Sequence, residues 1–405
     1  MKTKCVFTQL IVVFAVLFVH TCFAQLSAYH GIVFPYEGQA LAGKALGGVT
    51  VAAPDYVPDA RGNPAGLAFT ENIQFFAGVN SYWDSYKLDY ELLYMDKEKS
   101  KISYTRYHFL PSQFSVAVPF RLYNKKTTVA VSVNKINSPE IETMNIPEIK
   151  KDLNYRYNSN GTVWNSSLAA AIRLNENLSI GFSWTQWYGK WDWRTEHYID
   201  QFSKKNVNIG RGTFKYKGSS FSLGVLQQFR KLSVGLVLHS PFTLMKADKI
   251  KPESWIPSES IDLEQRFNGA VYAGLVYQVS PRSRIGFGYR HQDTFTTKET
   301  FEFGFTVPID NYYSNSHKVS IAGEYALNIF SLRVPVFLAY YGQWLPLTEQ
   351  TYWRHQSLFI TEKNRYQNGA ALGLKLDFNN MEFFFVTSWN RYSFKAEQSM
   401  DPPFS

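Results

Sequence analysis

From Ile73 onward, large apolar residues recur at every second position. Val129, Val131 and Val133 alternate with Ala130, Ser132 and Asn134, and Ile180, Phe182 and Trp184 with Gly181, Ser183 and Thr185. Further along, Ile285, Phe287 and Tyr289 alternate with Gly286, Gly288 and Arg290, and Leu372, Leu374 and Leu376 with Gly373, Lys375 and Asp377. A period of two places successive side chains on opposite faces of a strand. One face is large and apolar; the other is small or polar. A water-soluble sandwich would bury the large face and carry charge outside. Here the second face suits a crowded or wet interior, so the large face is expected to meet lipid. The pattern predicts an all-β fold, a transmembrane antiparallel β-barrel with strands of about 9–11 residues.

Short polar or Pro-containing turns near Lys125, Glu176, Arg230, Pro281, Ile329 and Asn379 recur about every 50 residues. Between them lie longer segments rich in charge, Tyr and Trp, at 137–161, 190–212, 242–265, 296–314 and 343–366. Short turns at one rim and long loops at the other are the outer-membrane pattern. The count comes to about 14 strands, with residues 84–112 open between an extra hairpin and a long loop. The last clear strand, 382–394, would then run outward, an odd parity for this class.

Residues 25–71 have a different texture. Gly, Ala and Pro dominate, and Pro35, Pro54, Pro58 and Pro64 interrupt any long helix or ladder. This stretch is expected to be a compact plug inside the barrel formed by 72–405. Residues 1–24 read as a cleaved signal peptide: Lys2 and Lys4, then the apolar run Val6 to Val19, then Cys22-Phe23-Ala24. The competing reading makes Cys22 a lipoprotein acceptor. Cleavage after Ala24 would remove Cys5 and Cys22, both cysteines of the chain, and with them disulfides and thiol chemistry.

Composition narrows the classes further. The chain has 405 residues, with 32 Phe, 26 Tyr and 10 Trp and only 19% charged residues, which excludes a disordered chain. Beyond the leader no apolar run approaches the ~20 residues of a spanning helix. Net charge falls from +9 to +7 when Lys2 and Lys4 leave. With no dense basic run, nucleic acid is not expected as a partner. Outer-membrane lipid is.

Within the plug, Ala45-Leu46-Gly47-Gly48-Val49-Thr50-Val51-Ala52, followed by Asp59-Ala60-Arg61-Gly62-Asn63-Pro64-Ala65-Gly66-Leu67-Ala68, resembles the N-terminal hatch of the FadL-type outer-membrane channels. Leu232-Ser233-Val234-Gly235 with Ser240-Pro241-Phe242 adds a weaker echo. The resemblance implies a fourteen-strand barrel, a lumen closed by the hatch, and a hydrophobic small-molecule ligand such as a long-chain fatty acid. It implies Asn63, Pro64 and Ala65 as hatch and gating residues, and a sideways exit through the wall. Pro119 and Pro335 are the candidates for that gap, because Pro cannot donate to a ladder. A related branch, the PorV and PorQ type, shares hatch and barrel and would have secretion-system proteins as partners. The residues leave both readings open.

Trp184, Trp187, Trp191 and Trp193, and likewise Trp344 and Trp353, are either an interfacial girdle or a ligand-capture surface. The histidines His30, His108, His197, His239, His291, His317 and His355 show no ligand spacing, so no metal and no cofactor is expected. With no nucleophile elbow or phosphate loop, the chain is not expected to be an enzyme.

Overall fold

The computed structural model describes residues 46, 48–53, 62–92, 99–137, 141–147, 154–198, 206–249, 251–252, 260–293, 295–302, 306–313, 315–329, 332–344, 350–353, 356–359, 366–378, 381–393 and 396–399. The assigned leader, 1–24, and the first part of the assigned plug lie outside them.

Among the described residues the strands form one closed sheet of thirteen. Segments that continue one another across a short break count here as one strand. In chain order they are β1 (Gln74–Leu92), β2 (Lys99–Leu122), β3 (Lys125–Asn137), β4 (Asn154–Arg173), β5 (Leu178–Tyr198) and β6 (Asn206–Gln228). Then come β7 (Leu232–His239 and Phe242–Lys249), β8 (Ser260–Phe267 and Ala270–Ser280), β9 (Ser283–Gln292 and Phe295–Glu302) and β10 (Thr306–Tyr313 and Ser316–Ile329). The last three are β11 (Leu332–Trp344 and Gln350–Trp353), β12 (Gln356–Phe359 and Tyr366–Phe378) and β13 (Met381–Ser393 and Ala396–Ser399).

Neighbours pair antiparallel all the way round. The exception is the seam, where β1 runs parallel to β13 from Phe75 opposite Met381 to Tyr82 opposite Ser388. An odd number of up-and-down strands can close only in this way. Thirteen is close to the expected count of about fourteen, and the outward course of the last strand is accommodated by the seam.

Strand length also departs from expectation. β2 has 24 residues, β6 has 23 and β5 has 21, about twice the expected 9–11. The described parts of the longer polar segments are mostly strand, not loop. The β5–β6 ladder runs out to Tyr198 opposite Asn206, and the β8–β9 ladder to Ser260 opposite Glu302. Residues 84–92 and 99–112 are the far halves of the β1–β2 hairpin, paired to Glu91 opposite Lys99. Polar strands satisfy their backbone by cross-strand bonds in water as well as in lipid, so loss of apolar alternation marks the edge of the apolar band, not the end of the ladder.

The described tight turns, at 123–124, 174–177, 229–231 and 281–282, fall where the spacing places them. Tyr123 and Asn124 both adopt positive φ, 47° and 62°, between the paired residues Leu122 and Lys125. That is the hairpin turn whose twist matches the strands it joins. The faces are also as expected. Ile180, Phe182 and Trp184 are exposed, while Ser179, Gly181, Ser183 and Thr185 are buried. Val131, Leu168, Ile285 and Phe287 likewise point out, and Ala130, Ala169, Gly286 and Gly288 point in. An apolar exterior on a sheet without free edges is what lipid requires.

Candidate functional site

The inner wall near the turn rim lacks side chains where the N-terminal segment lies against it. Gly181 stands opposite Gly224 across β5 and β6. Gly235, Gly274 and Gly288 form a cross-strand row on β7, β8 and β9. A Cβ on Gly181 would overlap the backbone of Pro64 and Ala65, and one on Gly224 would overlap the Asn63 side chain. A Cβ on Gly235 would strike the Val51 carbonyl, and one on Gly286 the Val49 side chain. These glycines are required for close approach, because any larger residue would push the segment off the wall.

Two short 3-10 helices occupy this seat, Val49–Ala52 and Pro64–Phe69. The first starts after Gly48, whose φ of 104° is open to glycine at little cost. The second starts at Pro64, whose fixed φ suits a first helical position, and is capped by Asn63. Asn63 joins three pieces. Its Oδ1 accepts from Ala65 N at 3.1 Å, and its Nδ2 donates to Val51 O at 2.6 Å and Val225 O at 3.2 Å. The Ser179 hydroxyl donates to Ala65 O at 2.8 Å, and the Arg173 guanidinium lies 4.8 Å from the Phe69 ring centre. Asn63, Pro64 and Ala65 thus stand together, all buried.

Beyond the seat, toward the far rim, the lumen is aromatic on one side. Trp187, Phe242 and Phe267 stack at 5.7 and 4.8 Å between ring centres, and Val51 joins their cluster. Trp187 Nε1 donates to Ser220 Oγ at 3.1 Å. On another side, Arg290 and Lys318 are register partners pointing inward, and Ser320, Gly288 and Gly48 share a small cavity with them. The Lys318 ammonium sits 3.7 Å from the Tyr341 ring centre. Near the turn rim the inward charges are paired: Arg284 with Glu324 at 3.1 Å, and Lys375 with Glu382 at 2.8 Å and Asp377 at 3.1 Å. Among the described residues the inner wall carries oily rings, amides, hydroxyls and charged side chains, Arg290 and Lys318 side by side among them. Among the described residues no three His, Cys, Asp or Glu converge to hold a metal ion.

The tryptophans do not form one surface. Trp184 is 42% exposed on the outer face, whereas Trp187, three positions on, is fully buried on the inner one. Trp344 faces out at the far rim. Trp191, Trp193 and Trp353 lie in strand segments, and their side chains fall outside the described residues. Each prolyl candidate sits just past the end of one flanking ladder. β1 pairs with β2 only as far as Ala117, and β12 with β11 only as far as Val336, so Pro119 and Pro335 are paired on one side alone. A break within a ladder lies elsewhere: Gly78 pairs with Gln113 and Val79 with Pro111, leaving Ser112 as an extra residue in β2. The sequence carried a signal for it, a Pro inside a strand, at Pro111.

The barrel agrees in fold with solved structures. The toluene transporter TodX of Pseudomonas putida superposes with a TM-score of 0.54 at 12% identity, covering 90% of this chain and 98% of that one. A FadL homologue of Pseudomonas aeruginosa gives 0.50 at 12% identity, covering 87% and 96%. A TodX monoaromatic hydrocarbon channel variant gives 0.51 at 12%, covering 90% and 98%. This chain has the FadL-type fold. No family model matches it, and no curated protein does. At 12% identity the FadL-type likeness rests on architecture: coverage is nearly end to end, but few positions are shared.

Proposed function

We propose that this chain is an outer-membrane channel through which hydrophobic small molecules, long-chain fatty acids among them, pass by diffusion, and that the segment around Asn63 is its stopper. The observation that carries this reading is the glycine-lined seat with Asn63 bonded across it. A segment held to the wall mainly by shape and one amide hub can shift without unfolding the barrel. Trp187, Phe242 and Phe267 are buried against Val51 of that segment, so its displacement would bare them to an apolar ligand as a dry surface. Arg290 and Lys318 favour a ligand with an anionic head over a plain hydrocarbon. Trp191, Trp193 and Trp353 are our proposed capture residues at the far rim, and Pro119 and Pro335 our proposed weak points for sideways release. The FadL-type fold, shared with a protein described as a toluene transporter, is consistent with this reading. No covalent step is needed.

Uptake into liposomes tests it. Protein-loaded vesicles should take up labelled palmitate above the protein-free background. Asn63→Ala should alter the rate, and a joint Arg290→Met and Lys318→Met exchange should slow palmitate while leaving toluene unchanged. Background-level uptake of both compounds by the unaltered protein would remove the proposal.

A further inference from the structure

We infer that His291 and His317 form a binding site for a borderline divalent ion of the zinc and copper class on the outer face of the barrel. The two residues are 26 positions apart in sequence but direct register partners on β9 and β10. Their Nδ1 atoms are 3.4 Å apart and their ring centres 4.8 Å apart. Two nitrogens bound to one tetrahedral ion at ordinary bond lengths stand about 3.4 Å apart. The pair therefore has the bite of a chelate before any ion arrives. Neutral imidazole suits copper and zinc better than magnesium or calcium.

The Tyr289 hydroxyl lies 2.9 Å from His317 Nδ1 and supplies an oxygen at the same place. Two imidazoles, this phenol and water complete a four-coordinate shell. Whichever tautomer holds, at most one of the two facing Nδ1 atoms can donate to the other, so without an ion the pair makes at best one long hydrogen bond.

The position keeps the site wet. Ile285, Phe287 and Ile321 are exposed apolar residues on the turn side of the pair, and exposed Asp293 follows two positions beyond His291. Trp344, the register partner of His317 on β11, is exposed at the same level. The pair therefore lies where the apolar band gives way to the headgroup zone, within reach of ions in the medium. A bound ion would clamp β9 to β10 from outside. The proposal is independent of the transport reading, because neither histidine faces the lumen.

The test uses the full chain in detergent, without a histidine tag, stripped by chelator and titrated with Cu2+ alone. The expected result is one tight equivalent whose pulsed paramagnetic resonance shows two imidazole nitrogens. His291→Ala and His317→Ala should each weaken it at least tenfold, and Tyr289→Phe by two- to threefold. Two outcomes would overturn the site: no two-imidazole signal in the unaltered protein, or the same signal and affinity in the His291→Ala, His317→Ala double variant. The first requires no variant to fold.

Discussion

Asn63 Nδ2 donates to the Val225 carbonyl at 3.2 Å across 162 positions of sequence. Through the same amide the second 3-10 helix holds the first, by way of Val51 O at 2.6 Å. One side chain therefore couples the two halves of the inner segment to each other and to the wall.

Asn63→Ala removes all three of its bonds and leaves two carbonyls and one amide to find other partners. The expected cost is about 1–3 kcal/mol, felt by the inner segment and not by the barrel. Hydrogen exchange should show faster opening at residues 49–53 and 64–69, with the β5–β6 ladder unchanged. Equal protection in both proteins would show that the hub holds nothing.

Gly235→Leu should expel the segment from its seat, because a Cβ at this position already overlaps the Val51 carbonyl. The barrel should still form, and planar-bilayer conductance should rise. Gly323→Ala is the control: no atom lies within 4 Å of where its methyl group would stand, so conductance and melting should stay as they are. A rise in both variants, or in neither, would break the link between glycine and seat.

Lys375→Met leaves Glu382 buried without its 2.8 Å partner, at an expected loss of about 3–5 kcal/mol in denaturant unfolding. Replacing both residues with Met should cost less than the single change, since no buried charge is then left behind. A double variant weaker than Lys375→Met would contradict that account.

Asp192 lies on β5 fourteen residues beyond Leu178, about 35 Å up a tilted wall and so outside an apolar band of about 25 Å. Partial burial alone would raise its pKa. Hydrogen bonds from Thr213 and Lys190 and the Lys190 charge outweigh it and hold the carboxyl below its ordinary 3.8. A carboxylate depressed in this way adds stability above about pH 4 and loses it as pH falls through the folded value. Carboxyl titration followed by carbon NMR should place the midpoint below 3.8, and Thr213→Val should move it up. A midpoint that stays put would mean the bond to Thr213 contributes nothing.

The outward face was legible because lipid imposes the same rule at every step: Ile180, Phe182 and Trp184 read as one stripe and are one. The turn at Tyr123–Asn124 was legible from its short polar spacing. Trp187 was not separable from Trp184 by residue type, since only strict parity assigns it to the lumen. Gly235 and Gly274 were visible as small residues, yet nothing local says what fills the space they leave. The His291–His317 pair was hidden because β-register, not sequence interval, brings them together. Strand length was misjudged at residues such as Ser260 and Glu302, where pairing persists after the apolar rhythm has stopped.

The like-directed contact between β1 and β13 has a bearing on biogenesis. Every other neighbour can dock as soon as its hairpin emerges, but Phe76 must wait about three hundred residues for Phe384, 5.3 Å away in the finished wall. The join is thus the last stitch made during insertion, and an insertion machine would have to chaperone two orphan edges until the polypeptide's final crossing arrives.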